Sequence, residues 1–515
     1  MARTPRRASR AAAIAGGLTL ILTVPLPASG HPVPGPPPCT DGAYLTLDVP
    51  GALDAIICSG DDLGTYEFLG IPDGIGAVEL DQGSLEVFVN HEESEVPFAG
   101  AADFQDASVS HLSLDLPTLS VEAADYAIPA SAGFIRFCSA SLAGPEHGLS
   151  RYTFFTGEES DDVLDIPPGA PYGPDPSLAP NRQAGYAAIL DVESGDYTEV
   201  AGMGRHNHEN TVVIPGGWNQ LAMVSTDDTF NPPTSQLYMY LANSERHLWA
   251  DRGSLWAFQV TRTDEGPVDP FDPHNGANDY LDIQPGEEWQ GRFIRVPKEI
   301  ARGDTAERPQ TALENWSNQN NVFQFIRLED LTYDRNDPRT MWVADTGATR
   351  VVHHPTSGRM HRLTTGTGEA DNGRIFEFVF DEKNPRKVDG FSVVADGDAD
   401  PSDPAFVPMS APDNMDASES SLMVQEDVSS GFRSRIWRMD LATGAWTAVA
   451  HVNEIGWESS GIIDASEWLG PGAWLLDVQA HGEQFWVRHE DPTPERPWFL
   501  RLEAGQLLAM TIPGT

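Results

Sequence analysis

Short apolar runs that end in acidic or histidine residues recur along the chain. They read SLEVFVNHEES at 84–94, RYTFFTGEESDD at 151–162 and NQLAMVSTDDTF at 219–230. They continue as TMWVADTG at 340–347, SLMVQEDVSS at 421–430 and AWLLDVQAHG at 473–482. Apolar runs of this length, bounded by turn residues, predict strands. Downstream of each comes a second apolar phrase that turns: HLSLDLPTLSV at 111–121, YAAILDVESGDYTEV at 186–200 and SLWAFQVTRTDEG at 254–266. The later copies are GRIFEFVFDEKNP at 373–385, RIWRMDLATGAWTAV at 435–449 and FLRLEAGQLLAM at 499–510. Within these, ESGD, ATG and EAG read as hairpin turns, with Gly supplying the positive φ. The two phrases alternate six times, and long amphipathic helical patterns are scarce. The pattern predicts an all-β fold, a six-bladed β-propeller with long inter-strand insertions, chiefly at 266–320 and 386–412.

A third element precedes most acid-tipped strands, a polar cluster that opens an apolar run. Examples are FIRFCSASL at 134–142, GRHNHENTVVIPG at 204–216, FIRLEDLTYD at 325–334, SAPDNMDAS at 410–418 and WESSGIIDAS at 457–466. In a propeller the innermost strand of each blade lines the central channel. Cys138, His208, Glu209, Glu329, Asp330, Asp413, Asn414 and Glu458 are therefore expected to face a common centre. Such a cluster is costly unless cations or hydrogen bonds satisfy it, so metal is the first hypothesis. Asn90, His91, Glu92, Asp227, Asp228 and His481 end strands, where each has either a site role or a purely structural one.

Charge supports that reading. The formal net charge is −45, from 32 basic and 77 acidic side chains, which argues against a nucleic-acid partner. It suits a calcium-rich or salty exterior. Hydrophobic content of 40% is ample for a core. Residues 1–30 have the layout of a signal peptide: Arg3, Arg6, Arg7 and Arg10, an apolar stretch, then PASG. The expectation is a secreted or periplasmic protein with a single propeller domain over 31–515, a monomer with no membrane span. Cys39 and Cys58 are placed to pair after export, leaving Cys138 over. DGDADPSD at 396–403 begins like an EF-hand loop, but Pro401 stands where Gly is required and Val407 where the bidentate Glu belongs. There is no G-x-S-x-G, H-E-x-x-H or P-loop.

Several of these segments resemble the PhoX-type alkaline phosphatases. GRHNHENTVVIPGG resembles their Gly-Arg-x-x-His-Glu segment, and FCSASLAGPEHGLSRYTFFTGEES their cysteine, Gly-rich stretch and strand ending in paired glutamates. LEDLTYDRNDPRTMWVADTG and APDNMDASESSLMVQED resemble their later acidic segments, so the likeness runs over about residues 80–480. The resemblance implies a six-bladed cup that holds iron and calcium and hydrolyses phosphate monoesters. It puts the iron-binding cysteine on Cys138, the paired glutamates on Glu158 and Glu159, and the His-Glu glutamate on Glu209. Glu329, Asp413 and Asn414 fall on acidic-site positions, and Glu92 joins the expected metal ligands. The chain departs from the family pattern in one stretch. LAGPEHGLSRYTF replaces the Thr-Pro-Trp-Gly-Thr-Trp segment, and Gly157 stands where the family has a second cysteine.

Phosphate chemistry in so acidic a chain requires metal, which neutralises the substrate and activates a nucleophile. Cys138, Glu209 and Arg205 are the expected catalytic residues, with Arg136 and Arg350 as further candidate phosphate clamps. The expected substrates are small-molecule phosphate esters and the expected metals calcium and iron. Two other readings are a non-catalytic calcium-binding propeller and a lactonase- or phytase-like esterase on the same fold.

Overall fold

The computed structural model describes residues 42–92, 105–160, 163–165, 181–229, 235–269, 272, 276–304, 308–355, 359–428, 431–489 and 499–515. The predicted signal segment and Cys39 lie outside them. The chain is mostly β, in a propeller-like arrangement of antiparallel sheets. Twelve strands carry the argument. They are β1 (Pro72–Asp81), β2 (Ser84–His91), β3 (Phe137–Ala143), β4 (Thr153–Glu158), β5 (His208–Val213) and β6 (Leu221–Asp227). The others are β7 (Leu328–Tyr333), β8 (Thr340–Asp345), β9 (Pro412–Ala417), β10 (Ser421–Glu426), β11 (Glu458–Asp464) and β12 (Ala473–Arg488).

Four sheets stand apart, each with four or five strands, opening on β1–β2, β3–β4, β9–β10 and β11–β12. The sheets that open on β5–β6 and β7–β8 join at their outer edges. Trp289–Arg295 pairs with both Ser254–Thr263 and Lys387–Asp396, so one ten-stranded sheet results. That strand comes from the predicted insertion at 266–320, which also supplies the helix Pro309–Gln319. Chain ends close the last sheet, where Ala52–Cys58 pairs with Phe499–Thr511. The odd-numbered strands touch in sequence, β1 to β3, β5, β7, β9 and β11, and β11 returns to β1. They are thus the inner strands of a closed circle.

Between sheets the core is apolar and fully buried. Phe258, Phe323, Phe376, Phe378 and Phe391 fill it under the ten-stranded sheet, while Trp474, Leu476, Val478 and Leu508 belong to the core around the closing sheet. Alternation along β12 puts Trp474, Leu476 and Val478 on one face of the closing sheet. One expected hairpin is absent. Glu503-Ala504-Gly505 runs inside the strand Phe499–Thr511, and Gly505 is there for close approach: a Cβ would lie 2.4 Å from Pro72 Cδ. Cys58 is disulfide-bonded and Cys138 is free. Among the described residues no helix is long and apolar enough to cross a membrane.

Candidate metal centre

One local rule builds the site. In five of the six strand pairs the first residue of the inner strand pairs with the last residue of the second: Pro72 with His91, Phe137 with Glu158, His208 with Asp227, Leu328 with Asp345 and Pro412 with Glu426. A register shift follows each pair at once. The extra residue is a β-bulge, which re-aims the side chains beside it. The residues just after these pairs are Asp73, Cys138, Glu209, Glu329 and Asp413 on the inner strands. Past the second strands they are Glu92, Glu159, Asp228, Thr346 and Asp427. In the sixth strand pair, β11 with β12, Glu458 pairs with Gln479, which brings Glu458 beside His481.

The backbone laces the two groups together. The amides of Glu92, Glu159, Asp228, Thr346 and Asp427 donate to the carbonyls of Ile71, Arg136, Asn207, Arg327 and Ala411 at 3.2, 2.9, 3.1, 3.0 and 2.9 Å. Ile71, Arg136 and Ala411 hold φ of 46°, 39° and 50° to do so. A β-branched residue in that region is strained, and such strain gathers at functional sites.

Strand alternation then sorts each pair of adjacent polar residues, since neighbours point to opposite faces. His91, Glu158, Asp345 and Glu426 turn away from the centre and act as struts. Glu158 accepts from the amides of Ile135 and Tyr186, each at 3.1 Å. Asp345 accepts from those of Ile326, Arg327 and Gly347 at 2.9, 3.2 and 2.9 Å. Glu426 accepts from Ser410 at 2.9 Å and Arg435 at 3.0 Å. His91 bonds Ser110 Oγ at 2.8 Å.

The residues on the other face converge. Asp73, Glu92 and Cys138 bring ligand atoms within 4.8 Å of one another, as do Cys138, Glu159 and Glu209, and Glu209, Glu329 and Asp413. Cys138 and Glu209 are each shared, so the three groups form one chain. Neutral side chains space the acids. Cys138 Sγ donates to Asp73 Oδ2 at 3.1 Å, Ser139 Oγ to Glu209 Oε1 at 2.6 Å, and Asn414 Nδ2 to Ser139 Oγ at 2.7 Å. Gln479 Nε2 reaches Asp73 Oδ2 and Glu92 Oε1, both at 3.2 Å.

Burial pushes the Asp73 carboxyl up to about 7, with the Glu92 charge adding to it. Burial first, then neighbouring carboxylates, raises Glu209, Glu329, Asp413 and the Cys138 thiol. Glu159 is raised by burial although Arg136, 3.8 Å from its Oε2, opposes the shift. Arg327 is the second cation, donating through Nε to Asp228 at 2.9 Å and lying 3.3 Å from Glu329 Oε1. Two guanidinium groups therefore face seven carboxylates: Asp73, Glu92, Glu159, Glu209, Asp228, Glu329 and Asp413. At the rim, burial opposes the charge on His481, but bonds to Glu458 and Glu503 hold it protonated up to about 11. Glu209 Oε2 is buried with no hydrogen-bond partner. An acid-rich, oxygen-dominated donor set with an orphaned oxygen and one thiol fits bound cations.

Of the residues expected from sequence, Glu92, Cys138, Glu159, Glu209, Glu329 and Asp413 meet here. Glu158 is a strut and Asn414 a spacer between Ser139 and Ser460. Arg205 lies with its guanidinium 3.4 Å over the Tyr186 ring and donates to Ala184 O. Arg350 is a surface residue bonded to Thr364 O. His208 fills the space beside Gly157, where a Cβ would stand 2.3 Å from His208 Cβ. No side chain fits there without moving the strands apart.

Sequence reasoning overlooked Asp73 and Arg327. Pro72-Asp73-Gly74 reads as a turn tripeptide, yet it opens an inner strand, and a Cβ on Gly74 would meet Ala140 N at 2.1 Å. Arg327 was findable, because Phe325-Ile326-Arg327 repeats Phe134-Ile135-Arg136. Elsewhere, Asp279, Asp282 and His353 bring ligand atoms within 4.8 Å, but Asp279 is committed to the amides of Leu281 and Met360.

The fold is similar to that of PhoX from Pseudomonas fluorescens, solved in complex with vanadate, a transition state analogue. The TM-score is 0.61 at 13% identity, over 91% of this chain and 96% of that one. A GH93 α-L-arabinofuranosidase of Fusarium graminearum aligns with a TM-score of 0.37 at 8% identity, over 85% of this chain and 92% of that one. No family model and no curated protein matches the sequence.

Proposed function

We propose that this chain is an exported, metal-dependent phosphomonoesterase of divergent PhoX type, on a six-bladed propeller spanning 31–515. The six-blade count treats the ten-stranded sheet as two blades joined at their outer edges, each with its own inner strand, β5 and β7. One observation carries the functional reading: three ligand groups, linked through Cys138 and Glu209, open beside two arginines. The likeness of fold to PhoX supports it.

Asp73, Glu92, Cys138, Glu159, Glu209, Glu329 and Asp413 would hold the metals. When bound, calcium and iron supply charge neutralisation of the phosphate and activation of water. The protein's own groups do the rest. Arg327 and Arg136 stand at the edge of the acids, where guanidinium pairs with phosphate oxygens. Arg327 is fixed in direction by Asp228, and the Arg136 guanidinium lies 3.8 Å from Glu159 Oε2. Ser139 and Asn414 hold Glu209 and leave its second oxygen turned to the centre. In the reaction the ester P–O bond breaks and a P–O bond to the water oxygen forms. One water proton ends on the leaving alcohol and one remains with the hydrogen phosphate product.

The test is assay of purified protein on p-nitrophenyl phosphate with added calcium and iron, with and without chelator, beside elemental analysis. Chelator-sensitive turnover is expected, and no turnover under any metal overturns the proposal. A second reading is a non-catalytic calcium-binding centre. It is favoured by Gly157, which leaves a single thiol for a softer ion. Calcium without iron, and a C138S variant with wild-type metal content, would establish it.

A further inference from the structure

The residues that lead into the inner strands form a second ring around the acids. Three of them, Arg136, Asn207 and Arg327, are polar and sit side by side before β3, β5 and β7. The other three, Ala411, Trp457 and Ile71, are uncharged and sit before β9, β11 and β1. The two arginines thus stand on one side of the ring, and the lead-in residues of the other side bring no cation. Two loops meet the strand ends on that other side, beside Asp427 and Glu458. One follows β10 and carries Phe432, the other precedes β11 and carries Ile455. At 73% and 60% exposure these are the two most exposed large hydrophobic side chains among the described residues.

The two loops are one structure. Ser434 Oγ donates to Trp457 O at 3.0 Å, and Val452 N to Ser434 O at 3.0 Å. Trp457 is braced from behind by Tyr44, with ring centroids 5.0 Å apart. Phe432 lies five residues beyond Asp427 and Ile455 three before Glu458, and Asp427 and Glu458 share a hydrogen bond at the rim. Single exposed apolar residues are ordinary on a surface. Two on joined loops at the edge of a charged cup mark a contact surface.

We propose that Phe432 and Ile455 seat the apolar organic group of the substrate, an aryl or alkyl phosphate monoester, while its phosphate lies against Arg136 and Arg327. This rests on the phosphatase reading. Attacking and leaving oxygens lie in line through phosphorus. Attack from the carboxylate floor therefore sends the ester oxygen outward, toward the rim. The P–O ester bond breaks there, the alcohol departs with a proton from water, and hydrogen phosphate stays below. An aryl or alkyl group on that oxygen covers Phe432 and Ile455. A polyol leaves them in water and gains nothing.

The experiment compares 1-naphthyl phosphate with glycerol 3-phosphate, using calcium- and iron-loaded wild type and the F432S/I455S double variant. Intrinsic reactivity of the esters cancels when the ratio of their kcat/KM values is compared between the two proteins. Losing both apolar contacts is expected to lower the naphthyl-to-glycerol ratio about tenfold, mainly through the KM of the naphthyl ester. The F432L variant keeps most of the ratio, because apolar area is retained. A ratio that moves less than about twofold in a double variant with normal melting behaviour overturns the docking site and leaves the phosphatase reading intact. Wild type that cleaves neither ester overturns both.

Discussion

Arg327 and Asp228 give a direct measure of how the centre is held together. Asp228 is fully buried and Arg327 a quarter exposed, and the guanidinium meets the carboxylate through both Nε and Nη2. R327M removes the cation and leaves a buried charge uncompensated. Breaking a buried pair from one side costs about 3–5 kcal/mol, and the exposed edge of Arg327 favours the lower end, about 3 kcal/mol. Unfolding entropy of about 2.1 cal/mol/K per residue amounts to about 1 kcal/mol/K for a chain of 515 residues, so Tm falls by about 3 °C. D228N costs less, about 1 kcal/mol, because Arg327 retains Glu329 and solvent. The double variant buries no lone charge, so it should be more stable than R327M alone, with a coupling of about 2 kcal/mol. Denaturant or thermal unfolding is measured in excess chelator, so that bound metal adds nothing to stability. In the assay R327M raises KM, because a phosphate contact is lost. Additivity of the two single changes within about 0.5 kcal/mol would falsify the claim that this pair is a coupled, desolvated unit.

Three further expectations follow from the same geometry. Burial pushes the Asp345 carboxyl from 3.8 up to about 7, against the amide bonds that lower it. The folded state therefore holds that proton more tightly than the unfolded chain. Its stabilising contribution is complete below about pH 3.8 and is lost as pH rises through about 7. Asn has no proton to lose, so chelated D345N should lose less stability than wild type between pH 5 and pH 8; parallel loss in both proteins refutes this. The adjacent glutamates should behave oppositely. E158Q replaces one of two accepting oxygens with an NH2 that faces a backbone amide, and destabilises by about 1–3 kcal/mol, whereas E159Q lowers bound metal and leaves the chelated protein at least as stable. Equal stability losses in chelator would contradict the assignment of strut and ligand. G157A places a Cβ 2.3 Å from His208 Cβ and should cost about 1–3 kcal/mol, more for the bulkier G157C. A wild-type melting curve for G157C would show that the strands can separate to admit a second thiol.

Much of the plan was written along the chain. Alternating apolar runs with polar tips mark the second strands, and polar residues opening apolar runs mark the starts of β3, β5, β7 and β9. Cys138, Glu209, Glu329 and Asp413 were legible because each sits at such a start. What the chain could not state is which member of a polar pair faces inward. His91 and Glu92 are both potential metal ligands, Glu158 and Glu159 are the same residue, and a shift of one position in pairing exchanges their faces. The register, set by a bulge and by a carbonyl bond from the preceding loop, makes Glu92 and Glu159 ligands and leaves His91 and Glu158 as struts. Tertiary packing also decided the arginines. Arg205 follows a glycine in a suggestive motif but is captured by Tyr186, while Arg327 reaches the acids because Asp228, a hundred residues away in sequence, draws it there. Local pattern sets which atoms a strand can offer, but the direction in which they point depends on pairing partners distant in the chain, and only the folded circle brings those together.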